Sequence, residues 1–176
     1  MRSFTLFVAL VLLLECFCFG QIPSNPTNET SSATTPTFSL VANATASPIR
    51  VGDAININIT VTNISGKEIY WIFDKGKNAT YKVFAVSLMK DGKEVETTFF
   101  HRKITGRQRA NDPVEVESGS SNPVPYPPGK MFVLTIDLKR LYEITQPGVY
   151  TLEVSRYDEY NKTTVRANSL TLKIVP

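Results

Sequence analysis

Side chains able to do chemistry crowd one stretch of this chain. His101, Arg102, Lys103, Arg107 and Arg109 fall within nine residues, and Asp112, Glu115 and Glu117 follow. Cations at this density could hold a phosphate, a sulfated glycan or an acidic protein surface. The competing reading is a solvated loop, because charge runs of mixed sign pair with one another and face water. His101 is the sole histidine. A zinc site wants three or four ligands, and one imidazole without a thiolate beside it does not supply them. A serine nucleophile would need a base as well, and the chain has no Gly-x-Ser-x-Gly turn. Carboxylates stand singly on turns, at Asp53, Asp74, Asp158 and Glu159, with no Asp-x-Asp-x-Asp calcium run and no visible acid and base pair. The expectation is a protein that is not an enzyme, with no catalytic residue, metal ligand or cofactor. The basic cluster from His101 to Arg109 is its best candidate for a binding patch.

Cysteine chemistry is confined to the first twenty residues. Met1-Arg2-Ser3 carries one positive charge, and Phe4 to Leu14 is an apolar run interrupted only by Thr5. That length suits a signal-peptide core and is short of the ~20 residues that span a bilayer. Cys18 and Gly20 put small residues where a signal peptidase reads, so residues 1–20 are expected to be removed after Gly20. A retained anchor is opposed by Glu15 and the short core. Lipidation of Cys16 or Cys18 is opposed by the bulky residues before them. The expected product is secreted or periplasmic and free of cysteine, which removes disulfides, thiolate metal sites and cysteine nucleophiles together. No second apolar run is long enough to cross a membrane, so no stable insertion is expected. The chain of 176 residues has a net charge of +3, and losing Arg2 and Glu15 leaves that unchanged. So small an excess is not a nucleic-acid footprint.

The cluster must be carried by something. Residues 21–37 are rich in Pro, Ser, Thr and Asn and nearly devoid of apolar side chains, which predicts a disordered linker. From Phe38 the character turns to β, and residues 38–176 are expected to form one domain that rests on its hydrophobic core. Phe38, Leu40, Ala42 and Ala44 alternate with polar or small residues. Residues 47–53 read as a short edge strand and a turn. Ile55, Ile57, Ile59 and Val61 alternate with Asn56, Asn58, Thr60 and Thr62, the period of a half-buried strand. Residues 63–67 make a turn, and 68–73 a strand whose Trp71 suits the buried tryptophan on the third strand of an immunoglobulin-like sandwich. Strands are expected at 81–89 and 94–100, joined by an Asp91-Gly92 hairpin turn.

A long loop is expected over 101–129, with edge pairing around Val114 and Val116. Residues 130–137 resume the strand pattern, 138–143 suggest one helical turn, and the last strand places Leu170, Leu172 and Ile174 on one face. Pro147-Gly148 opens a further strand whose Tyr150 matches a tyrosine corner. Seven to nine short strands with no long helical period describe an all-β, immunoglobulin-like (fibronectin III-like) antiparallel sandwich.

Two segments carry a family likeness. Residues 136–154 (IDLKRLYEITQPGVYTLEV) and Val61-Thr62-Asn63-Ile64-Ser65 resemble the non-catalytic immunoglobulin-like domain that precedes the protease in deuterolysin-type zinc endopeptidases, and stand-alone bacterial exported proteins of unassigned function. The resemblance implies the sandwich and little more: there is no His-Glu-x-x-His, and no catalytic residue carries over. The order of a "VTN" strand, a "DGKEV" hairpin and a "PPGK" turn is also similar to a small bacterial proteinase-inhibitor domain, which makes inhibition the alternative function and an unfamiliar hydrolase the third.

Six Asn-x-Ser/Thr sequons occur, at Asn28, Asn43, Asn58, Asn63, Asn78 and Asn161. In a eukaryote these are candidate N-glycosylation acceptors; otherwise they are turn formers and polar strand faces. The expected function is a secreted, non-catalytic module that binds a protein or glycan partner or serves as a structural spacer.

Overall fold

The computed structural model describes residues 35–74, 78–113 and 121–176. Contacts divide the chain into two units, Met1–Ser32 and Ala33–Pro176. The expected signal peptide, most of the expected linker and Asn28 therefore lie outside the described residues.

Period-2 alternation becomes strand wherever it was strongest. β1 (Phe38–Ala44) and β2 (Ile49–Arg50) lead to β3 (Asn56–Asn63), which pairs in register with β1 on one side and with β8 (Met131–Asp137) on the other. Ile57, Ile59 and Val61 of β3 are fully buried, while Asn56, Asn58, Thr60 and Thr62 face the other way, partly exposed. Each such aliphatic side chain is worth about 1.5–3 kcal/mol on burial, so slipping the strand by one residue would be prohibitive.

The second sheet has the order β2-β11-β9-β5-β6, built from β5 (Ala85–Lys90), β6 (Lys93–Glu94), β9 (Gly148–Asp158) and β11 (Leu170–Val175). β10 (Thr163–Arg166) also pairs with β9. Leu152 of β9 sits opposite Leu88 of β5 and Leu170 of β11. The order β1-β3-β8 reproduces strands A-B-E of an immunoglobulin fold, and β11-β9-β5 reproduces G-F-C. Their inner faces share one apolar core. Nine of the described strands are four residues or longer; β2 and β6 have two residues each. Tyr150 forms the tyrosine corner at the start of β9, its hydroxyl donating to the Gln146 carbonyl at 2.7 Å.

Several expectations change. Trp71 is buried, but on β4 (Ile69–Asp74), which pairs with β7 (Ser121–Tyr126) outside the two main sheets. The place beside β9 belongs to β5 instead. Trp71 packs edge-on against Phe38 and Phe132, and the Arg156 guanidinium lies 3.9 Å from its ring centre. The strand expected over 81–89 starts only at Ala85, because Ala79–Val83 is a short helix, α1. α1 carries Tyr81 to Asp137, whose backbone N–H donates to the Tyr81 hydroxyl.

The strand expected over 94–100 ends after β6. Thr98 caps a second helix, α2 (Phe99–Ile104), by accepting from the His101 N–H. The expected 101–129 loop thus begins in α2 and contains β7. Residues 114–120, with the pairing expected at Val114 and Val116, lie outside the described residues. Thr35 and Thr37, read with the linker, are tied to the domain. The Thr35 carbonyl accepts from Asn161 Nδ2, and Thr37 is bonded to Asp158.

Candidate functional site

α2 and the segment Glu94–Thr97 bound an open cleft of about 420 Å³, lined by Glu94, Glu96, His101, Arg102, Arg107 and Arg109. Thr98 sets the geometry. Its N–H donates to the Leu141 carbonyl at 2.9 Å and its hydroxyl to Arg140 O at 2.6 Å, while the same hydroxyl accepts from His101 N. The helix is therefore fixed to the turn that follows β8, and its cationic side chains leave from a rigid base.

Four of the five basic residues line this cleft, but they do not share one role. His101 is buried, with 8% of its surface exposed, and its ring packs edge-on against Tyr142 at 5.0 Å. Its Nδ1 has no hydrogen-bond partner among the described residues. Burial holds the imidazole pKa below its ordinary value, a backbone hydrogen bond with Leu141 opposes that, and Arg107 adds to the lowering. His101 is thus a wall residue kept neutral, where the sequence placed it at the surface of a basic loop.

Arg102 is spent internally. Its Nε and Nη2 donate to the two oxygens of Asp112 at 2.9 and 2.6 Å, and Nη1 donates to the Thr97 carbonyl. Asp112 also accepts from the Arg109 N–H at 2.8 Å, and the Arg102 guanidinium beside it holds its carboxyl at about 2. The pair staples the segment after α2 back onto the helix. Arg109 meets Glu96 at 3.3 Å, with both side chains well exposed, an arrangement worth little in water.

Arg107 is different: its guanidinium makes no ion pair or hydrogen bond among the described residues, although it lines the cleft. Lys103 is half-buried on α2. Glu115 and Glu117 lie outside the described residues. Glu94, Glu96, Thr98 and Tyr142 were not singled out from the sequence. Thr98, three residues before His101, carried a capping signal that could have revealed the helix.

A second cleft of about 460 Å³ adjoins the first across Glu94 and Val95, with Lys90, Lys93, Glu143 and Tyr150 in its walls. Lys90 is engaged there, donating to Gln146 at 2.9 Å. Among the described residues no group of three or more His, Cys, Asp or Glu could hold a metal ion, and no helix is long and apolar enough to cross a membrane.

The sequons separate sharply. Asn43 is exposed on β1. Asn58 accepts from Thr135, Asn78 from Arg140, and Asn161 donates to Thr35. Asn63 is 1% exposed. Its Nδ2 donates to Lys67 O and Tyr126 O, and its Oδ1 accepts from the N–H and hydroxyl of Ser65. It is a structural amide inside the turn after β3.

No family model matches the chain, and no curated protein matches it in sequence. Solved structures do match in outline. The CARDB domain of a Pyrococcus furiosus protein, in complex with di-metal ions, aligns with 81% of this chain and 96% of its own at 13% identity, with a TM-score of 0.40. A β-glucosidase from Listeria innocua aligns over 79% of this chain and 16% of its own at 14% identity, with a TM-score of 0.41. No residue role transfers at this similarity, and the sheet order alone identifies the chain as an all-β sandwich of immunoglobulin-like type.

Proposed function

We propose that this domain is an exported, non-catalytic module that acts by binding, and that the α2 cleft is its contact surface. The observation that carries the reading is the unspent Arg107 guanidinium over a cleft whose other charges are largely paired. A cation held open in this way suits an acidic group, a carboxylate or sulfate on a protein or glycan partner. The likeness of residues 61–65 and 136–154 to the non-catalytic domain preceding deuterolysin-type peptidases supports the same reading, as does the apolar run of residues 4–14 for export.

The experiment is retention of the purified protein on immobilised heparin and on an immobilised poly-glutamate peptide, across a salt gradient. Arg107→Ala should elute at lower salt than the parent on at least one support, with Lys173→Ala, on β11, as the unaffected control. Equal elution of parent and Arg107→Ala on both supports would remove the cleft from the proposal.

A further inference from the structure

Two strand edges among the described residues are closed by side chains. On β1, Asn168 accepts from the Ala42 N–H at 2.9 Å and donates to the Ala42 carbonyl at 3.0 Å, so one amide imitates a neighbouring strand. On β4, the Tyr160 hydroxyl accepts from Tyr70 N at 2.7 Å and reaches Tyr70 O at 3.4 Å. That contact shows that Tyr70 turns its backbone away from β7. Its partner in register is Pro125, and the next equivalent pair is Ile72 and Pro123. The N–H groups that these prolines lack are therefore those of the outer edge of β7. Such devices keep an edge from pairing with another chain.

The outer edge of β8 lacks them. Thr45 N donates to Asn56 O, so Asn56 faces β1, and its β8 partner Asp137 turns its backbone outward, to the Tyr81 hydroxyl. By alternation, Thr135, Val133 and Met131 also point N–H and C=O outward. None of the outward N–H and C=O groups of these three residues has a hydrogen-bond partner among the described residues. Neither proline nor charge occurs between Lys130 and Asp137, and the Met131 and Val133 side chains are 60% and 54% exposed.

We infer that this edge pairs with the same edge of a second copy of the chain, antiparallel and centred on Val133. Two features choose a second copy. Pairing Val133 with itself sets Met131 opposite Thr135, so every outward backbone group meets a complementary one and the outer faces of both sheets stay on one side. The strand also carries no charge from Met131 to Ile136, so pairing it with itself sets no like charges opposite one another. Behind the edge, the rows Met131–Thr62–Ser39, Val133–Thr60–Val41 and Thr135–Asn58–Asn43 carry no charge that would oppose a wider sheet. The contact is small, below the ~1,200 Å² of standard interfaces, so the dimer is weak and concentration-dependent.

Sedimentation velocity from about 10 µM to about 1 mM, with amide exchange followed by NMR, tests this. The expected result is a dimer at high concentration with new protection at Met131, Val133 and Thr135 only. Val133→Pro removes an N–H that the ladder to β3 does not use, and Val133→Lys keeps the backbone intact. Both variants should remain monomeric with the circular dichroism of the parent. A parent that is monomeric at about 1 mM, or a dimer that survives both substitutions, overturns the inference. If a synthetic peptide of residues 131–137 protects the same amides in a chain that stays monomeric, the edge accepts a foreign strand and pairing of copies is overturned.

Discussion

Asp158 receives both the backbone N–H and the hydroxyl of Thr37, at 2.7 and 3.0 Å, across 121 positions of sequence. The carboxylate has no exposed surface. Its second oxygen accepts from the N–H groups of Tyr160 and Asn161, at 3.0 and 3.4 Å. One side chain thereby joins the start of β1 to the turn that ends β9. Asp158→Ala would leave the Thr37 donors and the turn amides without acceptors, at a cost of about 2–4 kcal/mol. Thr37→Ala removes one hydroxyl and should cost about 1 kcal/mol. Urea titration measures both, and an Asp158→Ala loss below about 0.5 kcal/mol would show that the connection is not structural.

Asn63 offers a second test of a buried polar group. Its amide bridges the turn after β3 to the end of β7, through Lys67 O and Tyr126 O. Asn63→Asp would aim a carboxylate oxygen at two carbonyls and should destabilise by about 2–3 kcal/mol, more than Asn63→Ser. Expressed through a glycosylating secretory pathway, the protein should carry no glycan at Asn63, while Asn43 remains open to the transferase. Peptide mass spectrometry reads both positions, and an occupied Asn63 in folded protein would contradict its burial.

The tyrosine corner predicts a smaller effect. Tyr150→Phe keeps the ring in the core and loses only the bond to Gln146 O, for about 1 kcal/mol. A thermal melt should show the loss without a change in spectral baseline. An unchanged midpoint would mean that water replaces the hydroxyl at that carbonyl.

Acid should act on the α2 region in two steps of the same sign. Burial lowers the His101 pKa in the folded state, so the unfolded chain binds a proton more readily. Stability from this residue is complete above its ordinary value of 6.5 and is lost as pH falls below it. Asp112, held at about 2 from an ordinary 3.8, contributes stability above 3.8 that disappears as pH drops towards 2. His101→Phe keeps an aromatic ring against Tyr142 but cannot titrate. Its melting temperature should be flat between pH 7 and 5, where that of the parent declines, and the two should fall together in stronger acid. Parallel curves between pH 7 and 5 would remove His101 from the account.

What sequence determined by itself was local in origin. The alternation of Ile55 to Val61 places one face inside whatever the neighbours are, because the pleat has period 2. Tyr150 after Pro147-Gly148 was legible for the same reason: the corner is closed within four residues. The α2 site was only half legible. Its charges were plain, but their division depended on partners ten or more residues away. Arg102 is spent on Asp112, Arg109 lies against Glu96 and Arg107 remains open.

Tertiary structure also decided β7, where prolines at alternate positions read as loop. A strand tolerates them only when their missing N–H groups face away from the partner, and only the pairing with β4 settles that. His101 and Asn63 show the same physics from the other side. Polar residues next to turns read as surface, and what buries them is the Tyr142 ring in one case and the end of β7 in the other. Alternation and turn chemistry are properties of a segment, whereas pairing a charge, closing an edge and burying a polar group require the segments that fold against it.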